Sequence, residues 1–164
     1  MEVRLRDVED ADLPLFFEWQ RDPASTALAG VPARDRAAFG EHWERIRRDP
    51  SVTLRTVVAD GAVVGNVLAF DQSGRRVVGY WIGREHWGRG IATRALAAFL
   101  HELEERPLHA TVAPANAGSV RVLEKCGFAP AGEIEERGER VLLFVLEAER
   151  ARDRAAATSP SDVG

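Results

Sequence analysis

Asp60-Gly61 stands between two apolar stretches, residues 54 to 59 and 62 to 70, both rich in Val, Leu and Ala. The dipeptide supplies the positive φ angles of a two-residue turn, and a turn that short can join only antiparallel strands. The pairing of these two stretches is therefore settled before the rest of the chain is considered. "DQSGRR" provides a second turn and "VVGYWIG" a third strand, so the middle of the chain reads as an antiparallel meander.

The flanks alternate helix and strand signals. Val3 and Leu5 alternate with charged residues as a short strand. In "DVEDADLPLFFEWQ", Asp10 or Asp12 can cap a helix, and Pro14 sits early enough in it to be tolerated. A Gly/Pro break at 30 to 32 precedes a second helix with Phe39, Trp43 and Ile46 on one face, ended by Pro50. After the meander come a glycine-containing segment with a helix to about Glu105, a strand "LHATVA" and a helix from Asn116 to Cys126. Two strands close the pattern, at about 128 to 135 and 139 to 147 around Arg137-Gly138. The predicted order is βααβββαβαββ. Residues 1–148 read as a single domain, and the tail 149–164, "ERARDRAAATSPSDVG", has no apolar face and is expected to be partly helical or disordered.

Charge and cysteine usage exclude several functions. The net charge of −4 disfavours nonspecific nucleic-acid binding. One cysteine, Cys126, and no Cys/His cluster at ligand spacing leave no basis for a metal site or an internal disulfide. No apolar run approaches the roughly 18 residues of a membrane span, and the charged start "MEVRLRDVEDAD" lacks a signal-peptide core. A cytoplasmic protein without membrane or nucleic-acid partners is expected.

"REHWGRGIATRAL" places Gly88 and Gly90 at the start of a helix whose Ile91, Ala95, Leu96, Phe99, Leu100 and Leu103 recur at helical spacing. The first turn of a helix exposes unpaired N–H groups and carries about half a positive charge, so it can bind phosphate. Glycines allow the main chain of Trp87 to Thr93 to approach a pyrophosphate, while Arg84, Arg89 and Arg94 can add charge at the rim against Glu85 alone. The competing explanation is that the glycines only permit a tight strand-to-helix turn. A Rossmann dinucleotide site is excluded by context: Thr93 occupies the place of the third glycine, and no βαβ unit surrounds the loop.

"GYWIGREHWGRGIAT" followed by "VAPANAGSVRVLEKCGF" resembles the GNAT superfamily of acetyl-CoA-dependent N-acetyltransferases, in its RimJ/RimL-like branch. The resemblance spans about residues 3 to 147 and implies an α+β (α/β/α layered) fold, a mixed, mostly antiparallel twisted sheet of about seven strands with about four helices. The family's Q/R-x-x-G-x-G/A motif, whose amides hold the pyrophosphate of CoA, is matched at Gly88 and Gly90, with Glu85 at the Q/R position. The resemblance thus makes Trp87, Gly88, Arg89, Gly90, Ile91, Ala92 and Thr93 cofactor-binding. It also puts Ile82 and Gly83 beside the pantetheine arm, where the strand before the loop splays from the next. Asn116 would contact the cofactor arm or fix its loop; as a residue it is also a good N-cap. Ser119, otherwise an ordinary helix serine, would point its hydroxyl toward the sulfur.

The chemistry implied is transfer of acetyl from acetyl-CoA to a primary amine. It needs a neutral amine, an oxyanion donor such as the backbone near Ile82, and an acid for the departing thiolate, for which Ser119 is the candidate. Neither "VVGYWI" nor "LHATV" offers the carboxylate base of some relatives. His109 is the candidate base, with an ordinary strand histidine as the alternative, and Glu85 and Asp71 follow. Neutralising a lysine amine at pH 7 costs roughly 4.6 kcal/mol against about 1.4 for an α-amine. A site without a strong base therefore suits a peptide or protein N-terminus. A small-molecule amine acceptor and a non-catalytic CoA-binding sensor are the alternatives, and a monomer or homodimer is expected.

Overall fold

The computed structural model describes residues 1–148; the tail expected from the sequence lies outside the described residues. Strand β1 (Val3–Arg6) leads through a 3-10 turn (Asp10–Asp12) into helices α1 (Leu13–Arg21), α2 (Pro23–Ala29) and α3 (Arg36–Arg48). Strands β2 (Thr53–Ala59), β3 (Ala62–Gln72) and β4 (Arg75–Ile82) form the meander. A second 3-10 turn (Arg84–His86) precedes α4 (Ile91–Glu102), followed by β5 (Leu108–Val112), α5 (Ala117–Lys125), β6 (Ala129–Glu136) and β7 (Glu139–Leu146). One seven-stranded sheet takes the order β1-β2-β3-β4-β5-β7-β6, antiparallel except between β4 and β5. This is the mixed, mostly antiparallel α+β sheet of seven strands that the family resemblance implied.

The meander forms as its turn residues require. Asp60 and Gly61 have φ of 49° and 83°, and Arg137 and Gly138 repeat the geometry at 53° and 76°. The described residues contain five α-helices where the sequence predicted about four. The extra one, α2, begins with Pro23 directly after Asp22 and ends at Gly30 in the left-handed region. Its boundary signals are strong, but it is only 7 residues long and buries only Ser25, so apolar periodicity does not reveal it.

Asp12 departs from its expected role as a helix cap. Its side chain makes no cap bond to α1 and instead serves as the third residue of a capping box on the 3-10 turn, where it accepts the Glu9 amide. It is 2% exposed and accepts two bonds from the Arg6 guanidinium at 2.8 Å, one from the Thr56 hydroxyl at 2.7 Å and one from the Glu9 amide at 2.9 Å. Burial alone would raise its pKa, but these partners outweigh that cost and hold it at about 2.

The sheet separates two apolar clusters, because successive strand residues face opposite sides. Ile91, Leu96 and Phe99 of α4 pack with Val57, Val67 and Ile82 on one side. Phe16, Phe17, Trp19, Phe39 and Trp43 from α1 and α3 gather with Trp81 on the other. Sheet edges are β1 and β6. In β6 the register with β7 shifts between Pro130 and Glu133, with Gly132 at φ 104°.

Candidate active site

β4 and β5 form a single bridge, Val77 with His109, and then part. Gly83 donates its N–H to Val64 O on β3 at 2.9 Å. By alternation the main-chain groups of Tyr80 and Ile82 face the opening between the parted strands. Gly83 therefore does not offer its amide to the gap, contrary to the role its motif position implied. It is glycine because of packing: a Cβ there would lie 2.5 Å from the Trp19 ring.

A cleft of about 620 Å³ opens over this gap. Ser25, Leu28 and Ala29 of α2 form one wall, the turn and start of α4 form another, and α5 from Asn116 to Lys125 closes the third. Gly88, Gly90, Ile91, Ala92 and Thr93 all line it. Gly88 and Gly90 both have φ of 77°, which alone calls for glycine, and a Cβ on either would meet no protein atom within 4 Å. The main-chain N–H groups from Gly88 to Thr93 find no acceptor among the described residues. The tight turn and the accessible backbone are thus the same feature: a series of free donors at the start of a helix whose inner face is buried.

α5 begins at the opposite lip. Asn116 Oδ1 accepts the Ser119 amide at 3.1 Å, a regular N-cap, while Asn116 itself lines the cleft. The Ser119 hydroxyl faces the cleft 2.5 Å from the Tyr80 hydroxyl. Tyr80 is absent from the sequence-predicted site, because nothing local to "VVGYWIG" signals that its phenol reaches a helix 39 positions on. Burial pushes the Tyr80 phenol above its ordinary pKa, despite the opposing bond to Ser119. Trp87 lines the cleft too and donates its indole N–H to Ile82 O at 2.9 Å.

The expected rim arginines are engaged elsewhere. Arg84 reaches Asp22 at 3.3 Å, Arg94 reaches Met1 O at 2.7 Å, and Arg89 contacts Met1 Sδ at 3.6 Å; none of them lines the cleft. Among the described residues, the cations that do line it are Arg121 and Lys125, one turn apart on α5, with His86 from the 3-10 turn. Their i, i+4 spacing on a helix entering the motif was the available sequence signal.

His109 is not brought to Ser119. It sits at the one bridge before the strands part and lines a separate depression with Asp71, Arg75 and Glu105. Strand alternation turns it away from the face carrying Ala110 and Val112. Burial, and then Arg75, lower its pKa against the pull of Glu147. Asp71 lies in that depression as well, paired with Arg76 at 3.4 Å. Glu85, at the Q/R position, accepts the Trp19 indole N–H at 2.8 Å and so ties α1 to the turn before α4. Cys126 is half-buried with its sulfur 3.6 Å from Thr93 O, and burial raises its thiol pKa, which suits an inert residue.

A helix start with free amides beside a splayed strand pair has the donors and the open length to suit an extended ligand with a phosphate at one end. A model of the acetyltransferase (GNAT) domain matches residues 2–129. The chain belongs to the GNAT family of acetyltransferases. It is 33% identical over 146 residues to the probable N-acetyltransferase YjcK of Bacillus subtilis (strain 168), covering 79% of this chain and 81% of that one. In fold it is similar to the aminoglycoside acetyltransferase AAC(6')-Ib in complex with coenzyme A, with a TM-score of 0.78 at 19% identity over 96% and 99% of the two chains. It is also similar to the Vibrio cholerae spermidine N-acetyltransferase with CoA and spermine, with a TM-score of 0.76 at 20% identity over 88% and 95%. This GNAT protein is an acetyl-CoA-dependent N-acetyltransferase. Its residues fit that cosubstrate: free amides and two α5 cations for phosphates, and a strand edge at Ile82 for the amides of the arm. No helix among the described residues is long and apolar enough to cross a membrane, and no group of three or more potential metal ligands occurs among them.

Proposed function

We propose that this GNAT enzyme acetylates a primary α-amine at the N-terminus of a peptide or protein, in the manner of the RimJ/RimL-like branch, in the cytoplasm. The observation that supports this reading is that, among the described residues, those lining the cleft include neither Asp nor Glu. A polycationic acceptor gains from carboxylates at the site, and a lysine amine needs a strong base; this lining supplies neither. An α-amine of pKa about 8 requires only about 1.4 kcal/mol to become the neutral nucleophile at pH 7.

In this reading the amides of Gly88 to Thr93, with Arg121 and Lys125, hold the phosphates of acetyl-CoA. The gap-facing N–H of Ile82 donates to the thioester oxygen as charge develops there. Asn116 fixes the first turn of α5, and Ser119 at its lip protonates the departing sulfur. No role in binding or transfer is assigned to His109, to Gly83 or to the side chain of Arg89, whose main-chain amide remains one of the phosphate donors.

A small-molecule amine is the second reading, favoured by the near full-length likeness in fold to proteins whose partners are aminoglycosides and spermine. Acetyl-CoA turnover on matched peptides, one with a free N-terminus and no lysine, one N-terminally blocked with a lysine, compared with kanamycin and spermidine, separates the two. The free α-amine is expected to give a kcat/KM at least about tenfold above the others, a difference of about 1.4 kcal/mol. A preference for the lysine peptide, kanamycin or spermidine rejects the reading.

A further inference from the structure

Tyr80 contributes a hydroxyl to the cleft for which packing gives no reason. Its ring is half-buried against the α4 side of the sheet, where a phenylalanine would pack as well. Its hydroxyl has one hydrogen-bond partner among the described residues, Ser119 Oγ at 2.5 Å. Ser119 is held at the same time by its amide bond to Asn116, so both ends of the contact are fixed by backbone: one by the β3–β4 register at Val67, the other by the cap of α5.

Two hydroxyls that share one bond divide the roles of donor and acceptor. A phenol is the stronger acid and so the better donor. With Tyr80 donating, the Ser119 oxygen accepts and its own hydrogen is left free. No other protein acceptor for that hydrogen occurs among the described residues, and the open direction is the cleft. Donation to the serine oxygen also polarises its O–H and strengthens it as a donor.

We propose that Tyr80 is a positioning residue for acetyl transfer, donating to Ser119 Oγ and thereby aiming the serine proton into the cleft where the leaving sulfur collects it. The inference rests on the reading of Ser119 as proton donor. As the carbon–sulfur bond breaks, sulfur takes the electron pair and the Ser119 proton, and the serine oxygen is reprotonated through its bond to Tyr80. The attacking nitrogen gives up one proton while forming its bond to the acetyl carbon, and that proton restores the phenol by way of solvent. The protein ends the turnover in its starting protonation state.

The test uses Tyr80→Phe, Ser119→Ala and the double variant of the full chain, with kcat, KM for acetyl-CoA and calorimetric CoA affinity measured for each. Tyr80→Phe is expected to lower kcat about tenfold, the worth of one well-placed hydrogen bond, with KM and CoA affinity within about twofold. In the Ser119→Ala background, itself slowed about 100-fold, the same change is expected to do nothing further. Multiplying effects in the double variant, or a Tyr80→Phe enzyme as fast as the parent beside a crippled Ser119→Ala enzyme, overturns the role of Tyr80 alone. A Ser119→Ala enzyme with full kcat removes the reading beneath it.

Because Tyr80 is the chain's one tyrosine, growth on 3-fluorotyrosine labels this phenol and no other, which covers the case of a Tyr80→Phe chain that fails to fold. The titratable and charged groups around the phenol are Cys126 at the end of α5 and, lining the same cleft, Arg121, Lys125 and His86, none of which the fluorine alters. A more acidic phenol ionises sooner and ceases to donate, so the alkaline fall of kcat should move to lower pH in the fluorinated enzyme. An unmoved fall overturns the proposal.

Discussion

Asp12 carries its charge at 2% exposure, held by Arg6, Thr56 and the Glu9 amide. Its folded pKa of about 2 lies below the ordinary 3.8, so the folded state binds the proton less readily than the unfolded one. The resulting stability is fully present above about pH 4 and is lost as pH falls through about 2, a contribution of about 2 kcal/mol. Urea unfolding at a series of pH values should show this acid limb, and Asp12→Asn should flatten it; a parent-like limb in that variant would refute the assignment. Asp12 also marks what sequence can and cannot convey about single residues. Gly88, Gly90 and Asn116 were legible because their geometry is local, a positive φ or a cap bond three residues ahead. Asp12, Tyr80 and His109 were not, because their roles depend on which side chains a distant strand turns toward them.

Among the elements, the strands of the meander were readable from turn chemistry and alternation, and α4 from its apolar stripe. The parting of β4 and β5 was expected only through the family resemblance, since a single bridge at Val77 and His109 leaves no mark on either strand's own pattern. Its rigid side is the β3–β4 pair. A Cβ on Gly65 would lie 2.2 Å from Trp81 O and 2.8 Å from Ile82 Cδ1, so the two strands can keep their register there only with glycine. Gly65→Ala is expected to cost about 1–3 kcal/mol in unfolding free energy, the usual range for overpacking. Gly79→Ala on the neighbouring strand, whose Cβ would come no closer than 3.8 Å to Leu68, serves as the mild control. Equal losses in the two variants would show that the strand contact is not what selects Gly65.

For the whole molecule, the sheet divides a core built on α4 from an aromatic core built on α1 and α3, and the cleft reaches both: Ile82 and Ile91 on one side, Trp81 on the other. Occupation of the cleft is then felt by the entire fold. Acetyl-CoA at 100 times its dissociation constant should add about 2.7 kcal/mol to stability, a rise in Tm of about 5–10 °C for a domain of this size. Gly90→Val, which forces a branched side chain onto a φ of 77° at the phosphate turn, should fold yet lose most of that rise in differential scanning fluorimetry. An undiminished rise would place the cosubstrate somewhere other than this turn.

The shift in β6 between Pro130 and Glu133 has a consequence of a different kind. Pro130 offers no amide hydrogen, and the extra residue throws the outer rim of the sheet out of step with any straight incoming chain. The rim is thereby shielded from stacking into fibres, and a variant regularised at Pro130 and Gly132 would trade that protection for a tendency to clump at high concentration.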